Sequence, residues 1–91
     1  MVNMLAKLIV EDYDKWRSFF DAAADDRRAH GSKGTQIFRN PDNPNEVVIL
    51  YEWEDLNRAY DWFKSINIED ILKEAGIIGK PEIFEMKKGI L

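Results

Sequence analysis

Residues 35–53 read TQIFR-NPDNPN-EVVILYEW, two apolar segments on either side of six turn-forming residues, and this stretch decides the fold. Proline fixes its own backbone dihedral and lacks an amide donor, so residues 40–45 cannot lie inside a sheet. The flanking segments are rich in β-branched and aromatic residues, which favour strands. The stretch therefore predicts a β-hairpin with strands at residues 35–39 and 46–53, joined by a loop longer than the tightest kind.

Towards the N-terminus, residues 2–10 form an apolar, β-branched-rich run that is too short for a helix and predicts another strand. Asp12 is a suitable N-cap for the helix that follows. Apolar residues then recur at helical spacing, namely Tyr13, Trp16, Phe20, Ala23 and Ala24. We predict one helix from Tyr13 to Arg28, ended by Gly31 in a left-handed conformation.

Towards the C-terminus, Asp55 caps a second predicted helix. Its buried stripe is predicted to contain Leu56, Ala59, Tyr60 and Phe63. A short helix at residues 68–75 is expected to end at Gly76, and Pro81 precedes a last strand at residues 82–87. The predicted fold class is α+β, one domain over residues 1–91 in the order strand–helix–strand–strand–helix–strand, with an antiparallel four-stranded sheet.

The composition excludes several classes of protein. The chain has no cysteine and one histidine, His30, so a disulfide is impossible and a Cys/His zinc site is not expected. The net charge of −4 comes without a basic stripe, which argues against a nucleic-acid partner. Arg27 and Arg28, the nearest approach to one, are interpreted as a solvated helix end. No apolar run approaches the ~18 residues of a membrane span, and residues 1–7 lack a signal-peptide pattern, so a cytoplasmic protein is expected.

Two central strands are apolar on both faces. Val47, Ile49, Tyr51 and Trp53 alternate onto one face of the third strand, while Val48 and Leu50 lie on the other. A sheet with helices on one side needs only one apolar face. We therefore expect a homodimer in which two sheets stack, with a C-terminal tail or loop covering the second face as the alternative.

Four phrases of the sequence resemble a known family: VEDYDKW at residues 10–16, NPNEVV at 43–48, YEWED at 51–55 and AGIIGKPE at 75–82. Together they resemble the dimeric α+β barrel superfamily, and within it the small proteins described as antibiotic-biosynthesis-monooxygenase-like or "cyclase"-like. This resemblance implies a ferredoxin-like unit whose sheet meets that of a twin subunit to form a barrel. It also implies oxygenation of electron-rich aromatic substrates without a cofactor. Residues 58–65, RAYDWFKS, lack the histidine that haem-degrading members carry there, which argues against that activity.

Two residues are candidates for catalysis. His30 is the one side chain whose ordinary pKa lies near neutrality, although a position at a helix C-terminus equally suits a structural cap. Tyr51 lies on the same strand face as Trp53. The pair either lines a ligand pocket or belongs to the hydrophobic core or the dimer interface.

Four residues are candidates for binding a substrate, and none of the residues suggests a metal site. Trp53 is considered with Tyr51, and Trp62 lies off the predicted helix stripe, as a dimer contact or a pocket rim. Arg39 either pairs with Glu52 across the hairpin or orients an anionic substrate. Asn57 could present its amide to a substrate carbonyl.

Three functions remain open. The first is a cofactor-free, monooxygenase-like enzyme with an aromatic substrate in an apolar pocket. The second is a non-catalytic module, hydrophobic-ligand-binding or stress-related. The third is a structural dimer whose interior is filled by its own side chains.

Overall fold

The chain was analysed as a computed structural model, which describes residues 2–65 and 73–86. The elements are β1 (Val2–Val10), α1 (Tyr13–Ala22), α2 (Ala24–Ala29), β2 (Ser32–Arg39), β3 (Glu46–Trp53), α3 (Leu56–Ser65) and β4 (Ile77–Met86). This order confirms the predicted α+β class, with the first helix divided in two. Most of the short helix predicted at residues 68–75 lies outside the described residues, as does residue 87 of the predicted last strand.

The four strands form one antiparallel sheet in the order β2-β3-β1-β4. The two central strands pair so that Met4 lies opposite Tyr51 and Ala6 opposite Ile49. Residues that share a face in this register are buried together, namely Met4, Ala6, Leu8 and Val10 with Val47, Ile49, Tyr51 and Trp53. This inner face packs against the helices, which contribute Trp16, Phe20, Ala59 and Trp62 to the same core.

The first helix begins where predicted but ends early. The Asp12 carboxylate accepts hydrogen bonds from the backbone N–H groups of Asp14 at 3.0 Å and Lys15 at 3.2 Å, which caps α1. The prediction of one helix up to Arg28 is wrong, because the chain turns at Ala23. In a continuous helix the Phe20 carbonyl would accept from the amide four residues later. Here that carbonyl accepts from the Arg27 guanidinium at 2.7 Å and from the Ala23 backbone N–H at 3.3 Å, so α1 ends at Ala22 and α2 begins at Ala24.

The helix predicted after Asp55 is α3, and the face that it buries differs from the predicted one. Ala59 and Trp62 are buried, Leu56 and Phe63 pack at the edge of the core, and Tyr60 is 38% exposed. The prediction of Tyr60 as buried was therefore wrong. Both sets of positions follow helical periodicity, and the sequence does not distinguish them. Tyr60 instead donates a hydrogen bond to the Glu85 carboxylate.

The predicted hairpin is confirmed. The Asn40 backbone N–H donates to the Glu46 carbonyl at 3.0 Å across the loop. The edge strands are longer than expected: β2 begins at Ser32, and β4 begins at Ile77, ahead of Pro81. Gly31 precedes β2 with a φ of 95° and Gly76 precedes β4 with a φ of 71°, values that favour glycine over residues with a Cβ.

The opposite, outer face of the sheet carries no helix from the described part of the chain. Leu5, Ile9, Val48 and Leu50 are half-buried there on the central strands. Phe38, Ile78 and Phe84 on the edge strands are between 49% and 53% exposed. Across residues 2–65 and 73–86, no helix is long and apolar enough to span a membrane.

Candidate functional site

A partly open cavity of about 550 Å³ lies between the inner face of the sheet and the helices. The sheet contributes Ala6, Leu8, Ile49 and Tyr51, the first two helices Trp16, Phe20 and Arg27, α3 Trp62 and Phe63, and β4 Ile77 and Ile83. The lining is thus mostly apolar and strongly aromatic, as is usual for small-molecule sites.

The size of the side chains explains the cavity. Ala6 occupies the middle of β1, and Ala22, Ala23 and Ala75 also line the space, so several wall positions contribute only a methyl group. Large aromatic rings form much of the remaining wall and pack from helix to sheet, as between Phe20 and Tyr51, whose ring centroids lie 6.4 Å apart. The ring centroids of Trp16 and Phe20 lie 5.1 Å apart. Such packed aromatic pairs stabilise the walls and keep the alanine-lined space open.

Arg27 brings a positive charge into this apolar wall. Its side chain is 4% exposed, and its guanidinium carbon lies 3.8 Å from the centroid of the Phe20 ring. Burial lowers its pKa. The nearby Tyr51 and the carboxylates of Asp21 and Asp26 raise the pKa, but by less. An arginine remains protonated at neutral pH even so. The interpretation of Arg27 as part of a solvated helix end was wrong.

Tyr51 lies on the sheet side of the same cavity and is 4% exposed. Aromatic rings surround it, with Trp53, Phe63 and Trp62 at centroid distances of 5.8, 5.9 and 6.3 Å. Burial raises the pKa of the Tyr51 hydroxyl, and the charge of Arg27 opposes this only in part. The hydroxyl is therefore neutral at physiological pH, able to donate a hydrogen bond and unsuited to act as a base.

Trp62 is the second sequence candidate that lines the cavity. It is 5% exposed, and its indole N–H donates to the Asp26 carboxylate at 2.9 Å, which connects α3 to α2. Trp53, by contrast, is completely buried in the core and does not line the cavity. Its indole nitrogen has no hydrogen-bond partner among the described residues.

The other three candidates lie away from the cavity. His30 ends α2, where its Nδ1 is 2.9 Å from the Asp26 carbonyl oxygen. Arg39 donates to the Pro44 carbonyl at 3.0 Å and stacks 3.9 Å from the centroid of the Tyr13 ring. Asn57 is exposed in the first turn of α3. None of the three lines the cavity.

The predicted ion pair between Arg39 and Glu52 is wrong. The hairpin register places Arg39 opposite Val47 and Glu52 opposite Gly34, at opposite ends of the two strands. Arg39 is the last residue of β2 before the loop, whereas Glu52 lies near the far end of β3, so a hairpin joined by residues 40–45 keeps the two side chains apart.

The cavity has few polar groups. Among the lining residues that the structure describes, the charged or hydroxyl-bearing side chains are those of Arg27, Tyr51 and the exposed Lys80. No group of three or more histidine, cysteine, aspartate or glutamate residues is placed for a metal ion within residues 2–65 and 73–86. The cavity can enclose an apolar ring system. Arg27 and Tyr51 can stabilise a negative charge on an oxygen atom of the bound molecule.

The fold is shared with several solved structures. An antibiotic biosynthesis monooxygenase superimposes with a TM-score of 0.74 at 13% identity, covering 99% of this chain and 100% of the other. SnoaB, a cofactor-independent oxygenase from Streptomyces nogalater, gives 0.72 at 15% identity, covering 98% and 95%. A conserved protein from Methanosarcina mazei gives 0.75 at 17% identity, covering 97% and 92%.

No protein-family model matches the sequence, and no curated protein matches it. The structural neighbours confirm the predicted resemblance to antibiotic-biosynthesis-monooxygenase-like proteins at the level of the fold. At these identities the likeness extends to the fold and not to the activity.

Proposed function

We propose that this chain binds a small, electron-rich aromatic molecule in the cavity and promotes its reaction with dioxygen without a cofactor. The observation that carries the proposal is an aromatic-walled cavity of about 550 Å³ with the neutral hydroxyl of Tyr51 in its wall. Similarity of fold to SnoaB, described as a cofactor-independent oxygenase, supports the same reaction class.

The chemistry requires little of the protein beyond enclosure and orientation. A phenol with a free para position loses its hydroxyl proton, and the resulting anion supplies electrons to dioxygen. The para carbon gains one oxygen atom to form a quinone. The second oxygen atom leaves as water with the hydrogen of that carbon and the former hydroxyl proton. Trp62 and Phe63 would orient the ring, and Tyr51 would donate a hydrogen bond to its oxygen.

The test is oxygen uptake with a panel of phenols and hydroxynaphthalenes. We expect uptake by the unmutated protein on at least one of them, with a several-fold loss in Tyr51→Phe. Tyr60→Phe is the matched control, because Tyr60 is exposed on α3 and does not line the cavity. No uptake by the unmutated protein on any member of the panel would overturn the oxygenase proposal.

A non-catalytic ligand-binding protein is the second candidate. It is favoured by the absence of a carboxylate or imidazole among the described lining residues, because no side chain there can take up the substrate proton. Tight binding of the same aromatic molecules without oxygen uptake would support it. A structural dimer with a filled interior is disfavoured by the open volume of the cavity.

We also propose that the chain forms a homodimer through the outer face of the sheet. That face presents Phe38, Ile78 and Phe84, each about half exposed, around the half-buried Val48 and Leu50. Burying a patch of several large apolar side chains stabilises an association by several kcal/mol at ~25 cal/mol per Å². A second copy would offer the same apolar face, and two-fold pairs are the commonest oligomers.

A further inference from the structure

Arg27 is a charged group almost fully withdrawn from water. Burial of an ion that has no counter-ion costs several kcal/mol, so buried charges are usually paired. Among the described residues, no carboxylate oxygen lies within 4.0 Å of the Arg27 guanidinium. The charge therefore carries a cost that no ion pair in the described part of the chain offsets.

The carboxylates of Asp21 and Asp26 attract the Arg27 charge, but each accepts a hydrogen bond from another side chain. Asp21 on α1 accepts from Arg17 at 2.9 Å, and Asp26 on α2 accepts from the Trp62 indole at 2.9 Å. Both carboxylates are at least half exposed, with side-chain exposures of 60% and 55%, so water weakens their attraction to the guanidinium without removing it. On the sheet side, Tyr51 lines the same cavity as Arg27, and its hydroxyl is neutral at physiological pH.

Arg27 has one structural role, a hydrogen bond to the backbone of α1, which occupies one of its N–H groups. A single N–H donates to the Phe20 carbonyl at 2.7 Å, while the guanidinium has five N–H donors. The guanidinium also lies over the Phe20 ring as a cation–π contact. Arg27 lies on α2, just beyond the break at Ala23, and it lines the cavity together with Phe20 of α1.

We propose that the cavity binds its aromatic ligand as an anion, with one ionised oxygen held by the Arg27 guanidinium and the Tyr51 hydroxyl. This inference rests on the proposed function, since it takes the cavity as the ligand site. The ligand class is an aromatic weak acid, with an apolar ring system against Trp62 and Phe63 and a single acidic hydroxyl. Lys80 at the exposed margin of the cavity adds a second positive charge near the entry of such a molecule.

A phenol bound beside Arg27 would ionise more readily than in water. The described lining offers no base, but a buried positive charge lowers the pKa of a phenol bound beside it. The phenol proton then passes to water through the open side of the cavity. The bound phenolate is the form that supplies electrons to dioxygen, so Arg27 would generate the reactive species by stabilising it.

The experiment uses para-nitrophenol, whose phenolate absorbs visible light, and para-nitroanisole as a neutral probe of nearly equal size. Para-nitrophenol is titrated across its ionisation range with and without an excess of protein. We expect its pKa to fall by about one unit when bound, which corresponds to roughly tenfold tighter binding of the anion than of the neutral phenol. Arg27→Gln is expected to abolish the shift, and Arg27→Lys to retain most of it.

Arg28→Gln is the matched control, because it removes the same charge from the next residue, which is exposed. It should leave the shift unchanged. Circular dichroism and urea unfolding establish that each variant is folded. The shift in the unmutated protein is a test in itself and needs no variant.

The outcomes separate the two proposals. If para-nitroanisole binds but para-nitrophenol shows no shift, or if the shift persists in Arg27→Gln, the anion proposal is wrong and the cavity remains a ligand site. If neither probe binds, both the anion proposal and the ligand-binding function fail.

Discussion

Arg27 and Arg28 are neighbours in the sequence and differ completely in environment. The Arg28 side chain is 67% exposed and pairs with Asp25 one turn earlier. Arg27 is 4% exposed and stacks on Phe20. A signal for this was present, because Arg27 follows Phe20 by seven residues and so continues the apolar stripe of the helix. Charge alone suggested solvent, whereas position along the helix pointed to the core.

Tyr51 is expected to make stability depend on pH at the alkaline end. An ordinary tyrosine has a pKa of 10.0, and burial raises that of Tyr51 in the folded chain. Below pH 10.0 both folded and unfolded chains hold the proton, so Tyr51 does not make the free energy of unfolding depend on pH. Above it the unfolded chain loses the proton while the folded chain keeps it, so stability falls by up to about 1.4 kcal/mol per pH unit.

Urea unfolding of the unmutated protein and Tyr51→Phe at a series of pH values measures this contribution. The difference between their free energies of unfolding should be constant below about pH 10 and should then shift steadily in favour of Tyr51→Phe. A difference that stays the same at every pH would show that the Tyr51 hydroxyl is not withdrawn from water.

At the level of the elements, α2 and α3 are connected through the cavity wall. The Trp62 indole on α3 donates to Asp26 on α2, and the Arg58 guanidinium donates to the Ala29 carbonyl at 2.8 Å. These contacts hold the helix that carries Arg27 against the helix that carries Trp62. The geometry of the cavity thus depends on a short helix of six residues that would be unstable alone.

A double-mutant cycle measures the strength of that connection. Trp62→Phe keeps an aromatic ring and removes the N–H donor, and Asp26→Ala removes the acceptor. We expect a coupling free energy of about 0.5–1.5 kcal/mol, below that of a fully buried charged hydrogen bond because the Asp26 carboxylate is half exposed.

Trp62→Phe combined with Asp25→Ala is the control cycle, since the Asp25 side chain is 90% exposed and pairs with Arg28. Its coupling should be close to zero. Equal couplings in the two cycles would mean that the hydrogen bond between Trp62 and Asp26 contributes nothing.

The two central strands were predictable, whereas the helix details and the starts of the edge strands were not. The limits of β1 and β3 follow from local apolar runs and adjacent turn residues. The turn at Ala23 coincides with a hydrogen bond from the Arg27 side chain to the Phe20 carbonyl, and the apolar periodicity of the sequence does not predict this bond. Choosing Trp62 over Tyr60 as the buried residue depends on how α3 lies on the sheet.

The same distinction applies to the candidate site. Tyr51 and Trp62 were found because large aromatic residues near a sheet face or a helix face mark either a core or a pocket. Arg27 was missed because its charge suggested solvent, although its position seven residues after Phe20 pointed to the core. His30 was favoured for its chemistry, and its position at the end of α2 places it outside the cavity lining.

At the level of the whole molecule, the sheet separates two apolar environments. The inner face encloses the cavity, and the outer face is covered by no element from the described residues. Phe38 lies on the outer face and is 53% exposed in the single chain, so replacing it by glutamate costs the folded monomer little. If two copies pack through that face, the same change buries charge in an apolar interface.

Analytical ultracentrifugation distinguishes these situations. The unmutated protein should sediment at about twice the 10.7 kDa of one chain, and Phe38→Glu close to a single chain. Ser18→Glu, on the exposed surface of α1, should remain a dimer. A monomer mass for the unmutated protein would refute the proposed homodimer.

We expect an aromatic acid to occupy the cavity as an anion against Arg27. The most direct measurement is a crystal structure with a bound bromonaphthol, whose bromine is located by anomalous scattering. We expect the bromine inside the cavity near Trp62 and Phe63, with the naphthol oxygen within hydrogen-bond distance of the Arg27 guanidinium. A bromine located only on the outer face of the sheet, or a naphthol oxygen directed away from Arg27, would contradict the claim.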